Sequence, residues 1–275
     1  MTDTRVPPYE SMLAAFHRAF APELRALVAT LPLVEGQTVL DMACGDGAYS
    51  PWLAEQVGPT GRVVAIDIRP AYLALARTEA MRSPPGRIVE VCAASIDALP
   101  FADDCFDLSW CAESLYSLHD PVAALRNLLR VTKPGGVVAV LEADTLHHAI
   151  LPWPVEVELA VRAAELHALN DGMNDTFKFY VGRQLRRVCR AAGLERIQTR
   201  TIAFDRAAPL GPNERSFLEQ YLKRLSTRVA RHLRGPLRQE FDRLVDPHSS
   251  TCMLNDADLT STCINELAWG YRRSR

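Results

Sequence analysis

Residues 40–52, LDMACGDGAYSPW, decide how the rest of the chain is read. The stretch opens inside a short β-rich run, TVLDM at 38–42, and closes inside a helix-compatible segment at 49–57, with Gly45 and Gly47 between them. Two glycines between a strand and a helix allow a sharp turn with positive φ. They also let a ligand approach the backbone where a Cβ would obstruct it. A second β-rich run, RVVAIDI at 62–68, completes a βαβ unit. It brings Asp67 to the strand end, where a carboxylate can accept hydrogen bonds from the two hydroxyls of a ribose. This combination suits dinucleotides and other adenosine ligands alike.

The residues around the turn separate those ligands. A dinucleotide fingerprint needs a third glycine at position 50, for close helix packing beside a pyrophosphate. The chain has Ser50 followed by Pro51 there. Asp41, four residues before Gly45, adds negative charge that would repel phosphate but suit a cationic or zwitterionic group. The turn therefore favours an adenosine carrying an amino acid or sulfonium group.

Working outward, strand candidates at 88–93, 106–111 and 137–142 alternate with helix candidates at 70–80 and 121–130, and KPGG at 133–136 supplies a turn before the fifth strand. Alternation of this kind predicts an α/β fold, a doubly wound, mostly parallel Rossmann-like sheet with helices on both faces. Its strand ends at 40–47, 67, 92–97, 110–116 and 142–148 would share the ligand-binding edge. Apolar residues at 13, 16, 20, 24, 27, 28 and 31 predict two short helices, because Pro22 interrupts the stripe. Beyond strand five come helices at 154–169 and at 181–192, the latter stopped by Gly193. A strand at 195–204, a helical stretch at 213–233 and a last strand at 264–271 follow. The expected organisation is N-terminal helices at 1–37 as a lid, a cofactor-binding core at 38–204 and 249–275, and a helical insertion at 205–248 as a substrate cap.

Composition sets the outer bounds. The 275 residues are 48% hydrophobic with a formal net charge of -2, enough for one sizeable core and no overall pull toward nucleic acid or anionic membrane. No signal-peptide pattern or membrane-length apolar run is present. The seven cysteines include no C-x-x-C pair, so neither a disulfide framework nor a metal site is expected. A cytoplasmic protein with reduced thiols is the expectation, and a homodimer is compatible with it.

The chain resembles the class I S-adenosylmethionine-dependent methyltransferases. VLDMACGDG at 39–47 is similar to their first motif and VVAIDIRPAYLALA at 63–76 to their second. SIDALPFADDCFDLSWC at 95–111 is similar to the third and fourth, and RVTKPGGVVAVLEAD at 130–144 to the segment entering strand five. The resemblance is nearest to the small-molecule branch that includes quinone-ring methyltransferases. It implies S-adenosyl-L-methionine as cofactor, with Asp41 and the turn from Ala43 through Gly45 to Gly47 against the methionine part. Asp67 would take the ribose hydroxyls, Ile68 one adenine face, Ser95 and Ile96 the adenine edge, and the Cys111 backbone the methionine amino group. Ala43 stands where the family often has glycine. Ser95 stands where it often has aspartate, for which Asp97 offers a substitute.

The implied reaction is in-line displacement at a methyl group already activated by positive sulfur, leaving the protein to align, to exclude water and to take a proton. His119, after strand four, is the candidate general base. Glu142, Asp144, His147 and His148 cluster after strand five. Tyr9, His17 and Tyr116 could line the acceptor pocket. The expected acceptor is a small-molecule oxygen, nitrogen or carbon nucleophile. An RNA or DNA methyltransferase is the enzymatic rival, supported only by Lys223, Arg224, Arg228, Arg231, Arg234 and Arg238 on the insertion. A noncatalytic cofactor-binding protein of the same fold and an NAD-dependent reductase also compete with the main reading.

Overall fold

The computed structural model describes residues 10–82, 88–144, 148–172 and 180–274. Helix α1 (Glu10–Ala19) and helix α2 (Ala21–Val28) are separated at Phe20, and Pro22 sits in the first turn of α2. A proline is tolerated there because its missing N–H has no partner in any helix. Strand β1 (Thr38–Met42), helix α3 (Tyr49–Val57) and strand β2 (Arg62–Asp67) form the first βαβ unit. Helix α4 (Pro70–Arg82), strand β3 (Val89–Ala93), strand β4 (Phe106–Ala112), helix α5 (Pro121–Val131) and strand β5 (Thr132–Ala143) continue the alternation.

β5 begins earlier than the KPGG signal suggests. Thr132 pairs with Phe106 and the register then jumps to Leu108 opposite Val137, so the glycines form an irregularity inside the strand. Helix α6 (Val155–Gly172), helix α7 (Val181–Ala192) and strand β6 (Glu195–Ala207) follow, with Gly193 ending α7 in the left-handed conformation at φ 103°. Helix α8 (Pro212–Val229) and helix α9 (Gly235–Val245) then precede strand β7 (Thr260–Tyr271). Both closing strands are longer than the apolar pattern suggests, because β6 and β7 pair with each other down to Ala207 opposite Thr260.

The seven strands form one sheet in the order β3-β2-β1-β4-β5-β7-β6. Pairing is parallel from β3 through β5, and β7 runs antiparallel to both of its neighbours. Alternate residues of each inner strand feed two cores. Val39, Leu108, Trp110, Ala139 and Leu267 join the side covered by α1, α2, α3, α6, α8 and α9. Leu40, Met42, Val138, Val140 and Ala268 join the side covered by α5 and α7. Burial on both faces is what gives these strands their continuous apolar character.

Among the described residues no helix is long and apolar enough to cross a membrane, and no three His, Cys, Asp or Glu side chains are grouped to hold a metal ion. All seven cysteines are free thiols.

Candidate active site

A cleft of about 1260 Å³ opens at the C-terminal ends of β1, β2 and β4. Asp41, Ala43, Gly45, Asp67, Ile68, Ser95, Ile96 and Asp97 all line it, so most of the residues expected to hold the cofactor are brought together. The turn is built from left-handed residues: Ala43 has φ 53°, Gly45 55° and Gly47 85°. A Cβ on Gly45 would meet nothing within 4 Å, which leaves its backbone open to a ligand. Gly47 has a different reason to be glycine. A Cβ there would lie 2.8 Å from Ala76 Cα, so the residue lets the turn pack on α4 and does not itself line the cleft.

Asp67 is fixed by its own backbone surroundings. Its Oδ2 accepts the Gly45 N–H at 3.2 Å and its Oδ1 the Arg69 N–H at 2.8 Å. Burial pushes its carboxyl above the ordinary value against these bonds. Asp41 is only 2% exposed and accepts a hydrogen bond from Ser50 Oγ at 2.5 Å. Burial pushes it up to about 7, despite the Ser50 hydroxyl. Ser95 Oγ accepts the Asp97 N–H at 3.2 Å, so both residues present polar atoms at one end of the cleft. Ile68 is 65% exposed at the rim, a position from which a large apolar side chain can cover a planar ligand.

Carboxyls dominate this cleft. Asp41, Asp46, Asp67, Asp97 and Glu113 face it, against Arg69 and His17. That surplus suits an ammonium and a sulfonium and opposes a pyrophosphate. The side chains present thus fit S-adenosylmethionine.

A second cavity lies under α1, α6 and α8. Leu13, Glu113 and Tyr116 line both cavities and so form the wall they share. Beyond that wall the second chamber has an apolar and aromatic part around Met12, Leu225, His148 and Tyr221 and a charged part of Glu142, Glu165, Arg224 and Arg228. His148 is stacked on Tyr221 at 14° with ring centroids 5.8 Å apart. Burial pushes His148 down to about 4, so this imidazole is neutral. At the far end Glu165, 1% exposed, is ion-paired with Arg228 and Arg162.

A polar cluster joins α1 to the turn. His17 Nδ1 lies 3.1 Å from Asp46 Oδ2, Asp46 Oδ1 accepts the Ala48 N–H at 3.2 Å, and His17 Nε2 lies 3.8 Å from Glu113 Oε2. Tyr49 donates to Glu113 Oε1 at a long 3.5 Å. Burial disfavours the charged imidazole, yet Asp46 and Glu113 outweigh it and raise the His17 pKa. Burial likewise opposes ionisation of Asp46, but His17 holds its carboxyl below the usual range. Burial raises Glu113. His17 is an expected pocket residue that lines the cleft, whereas Asp46, Tyr49 and Glu113 are not singled out by the sequence. The legible signals are an aspartate between the two glycines and a glutamate just past strand four.

Other expected site residues stand elsewhere. His119 is exposed, lines neither cavity, and immediately precedes Asp120, which caps α5 by accepting the Val122 and Ala123 N–H groups at 2.9 and 3.0 Å. Cys111 lies inside β4, fully buried, and the cleft lining begins one residue later at Ala112. Asp144 is tied to Arg183 at 2.7 Å outside both cavities. Glu142 does line the second chamber. Its Oε1 accepts the Ser114 and Leu115 N–H groups at 2.9 and 2.6 Å, clamping the loop after β4, while burial pushes it up to about 8. Tyr9 and His147 lie outside the described residues.

The arginines of the insertion separate in the same way. Arg224 and Arg228 line the second chamber and Arg238 pairs with Asp242 at 2.7 Å, whereas Lys223, Arg231 and Arg234 face solvent. The stripe does not form a continuous free cationic surface.

Comparison with known proteins agrees with this geometry. Residues 40–140 match the methyltransferase domain family. A ubiquinone/menaquinone biosynthesis C-methyltransferase UbiE from Enterobacter sp. (strain 638) is 41% identical over 107 residues, 39% of this chain and 43% of that protein. An uncharacterized methyltransferase of Schizosaccharomyces pombe is 32% identical over 169 residues, 58% and 60% of the two chains. The chain thus spans about half the length of the curated relatives it matches. The solved structure of a SAM-dependent methyltransferase from Aquifex aeolicus shares the fold, with a TM-score of 0.53 and 23% identity over 72% of this chain and 93% of that one. Residues 40–140 thus match a methyltransferase domain, the chain shares the fold of a SAM-dependent methyltransferase, and S-adenosylmethionine is the cofactor these similarities support.

Proposed function

We propose that this chain transfers a methyl group from S-adenosylmethionine to a small, ring-bearing nucleophile seated in the chamber beneath α1, α6 and α8. The observation that carries the reading is the wall of Leu13, Glu113 and Tyr116, which belongs to both cavities. A donor in the carboxyl-rich cleft and an acceptor in the apolar chamber would meet across it. When bound, the cofactor supplies an electrophilic methyl on positive sulfur. The chain's own residues then need only orient the acceptor, exclude water and receive a proton.

The rings of His148, Tyr221 and Tyr116 favour a planar, largely apolar acceptor. The quinone-ring acceptors named for the UbiE relatives fall in that class. Nucleic acid is disfavoured by the net charge of -2 and by the inward or paired arginines of α8 and α9.

The test has two stages. Calorimetry should detect S-adenosylhomocysteine binding, and labelled methyl from S-adenosylmethionine should then appear in a phenol, naphthol or hydroquinone. Absence of binding would remove the methyltransferase reading. Binding with transfer to RNA, in place of any small ring, would move the acceptor to the nucleic-acid class.

A further inference from the structure

We infer that Glu113 is the general base of the transfer, with His17 and Asp46 as positioning residues behind it; the inference rests on the methyl-transfer reading above. The assignment begins with which carboxyls are already committed. Asp41 is bound by Ser50, Asp67 by two backbone N–H groups, Glu142 by the loop it clamps and Asp46 by His17. Among the described residues Glu113 has only the long Tyr49 contact at 3.5 Å, and His17 Nε2 at 3.8 Å is beyond hydrogen-bond distance. It is also the carboxyl that reaches both the cofactor cleft and the acceptor chamber.

Two further observations fit a working group rather than a structural one. The Glu113 backbone has φ 51°, a left-handed conformation that is strained for a glutamate, and the strain falls at the junction of the two cavities. His17 Nε2, in a side chain 8% exposed, is buried with no hydrogen-bond partner. An orphaned ring nitrogen aimed at an under-used carboxylate, with its other nitrogen held by Asp46, is an arrangement that shifts a proton or steadies a charge. The charged and titratable groups around Glu113 are His17 from α1, Asp46 from the turn, Tyr49 from α3, Glu142 from β5 and Cys263 from β7.

In the proposed step the acceptor's O–H, N–H or acidic C–H proton passes to a Glu113 carboxylate oxygen. The electron pair so released forms the bond to the methyl carbon, and the pair of the broken carbon–sulfur bond stays on sulfur. His17 next to the carboxyl favours its ionised form before the step.

The experiment compares wild type with Glu113→Gln, Glu113→Asp and His17→Gln, using the S-adenosylhomocysteine complex and then turnover with 1,4-dihydroxynaphthalene and 2-naphthol. In the complex, the carboxylic-acid carbonyl band lost in Glu113→Gln identifies Glu113 by infrared difference spectroscopy. That band should titrate above the ordinary carboxyl range and move further up in pH in His17→Gln, which removes a nearby cation. In turnover, Glu113→Gln should fall about 100-fold or more in kcat, Glu113→Asp should recover part of it, and the acidic limb of the His17→Gln profile should shift upward. A band in the ordinary range that His17→Gln does not move would overturn the proposal, as would a Glu113→Gln variant with wild-type kcat. If wild type binds the homocysteine but methylates neither ring, the aromatic-acceptor reading fails and the carboxyl titration alone decides for or against Glu113.

Discussion

Ser50 Oγ lies 2.5 Å from Asp41 Oδ2, so the residue standing where a dinucleotide turn carries its third glycine is the hydrogen-bond donor to a buried carboxyl. This contact ties the first turn of α3 to the end of β1. It keeps an acidic side chain in the cleft at a site that is only 2% exposed.

Asp41 should make the fold sensitive to alkali. Its carboxyl is pushed from the ordinary 3.8 up to about 7 by burial, so between those values the folded chain holds a proton that the unfolded chain releases. Below the window nothing is lost, and stability declines as pH rises through it. A shift of that size corresponds to at most about 4 kcal/mol. Asp41→Asn should therefore be more stable than wild type at pH 8, lose that advantage near pH 4, and bind S-adenosylmethionine more weakly. Urea titrations at the two pH values and calorimetry check both halves.

Gly45 and Gly47 should respond differently to alanine. Gly47→Ala meets Ala76 Cα at 2.8 Å in a left-handed backbone and should lose about 2 kcal/mol or more of folding stability. Gly45→Ala carries the backbone strain alone, about 1 kcal/mol, but points a methyl group into the open cleft. Its principal loss should be in S-adenosylhomocysteine affinity, measured by calorimetry on the folded variant.

Removing one partner of the buried ion pair should cost more than removing both. Arg228→Met leaves Glu165, 1% exposed, facing only Arg162, a loss of about 3–5 kcal/mol in denaturant unfolding. Arg228→Met with Glu165→Met should recover much of it, and a double-mutant cycle measures the coupling.

His119 serves as a control. It is exposed and outside both cavities, so His119→Ala should retain methyl transfer within about twofold of wild type. A collapse in turnover would return it to the site.

The difference between His119 and Glu113 shows how far the chain can be read without coordinates. The βαβ periodicity, the glycine turn and Asp67 depend on contacts between residues close in sequence, and a mostly parallel sheet follows from them, whereas the place of antiparallel β7 between β5 and β6 does not. Two positions expected to hold the cofactor, Gly47 and Cys111, carry the motif but do not line the cleft, because one packs on α4 and the other belongs to the opposite core. The His17–Asp46–Glu113 cluster joins α1, the turn and the end of β4. No spacing rule connects residues 17, 46 and 113, so only folding reveals the group. The arginines of α8 are legible as a stripe, but their partners, Glu165 among them, lie on a different helix.

The pairing of Ala207 with Thr260 gives the molecule an architectural freedom. Because β6 and β7 are neighbours, the segment 208–259 leaves the sheet and returns to it across a single rung of the ladder. Its two ends therefore sit where a short hairpin loop would fit. The part of the chamber roof carried by α8 hangs from one such rung, so it can be lengthened or shortened without altering the strands that carry the cleft.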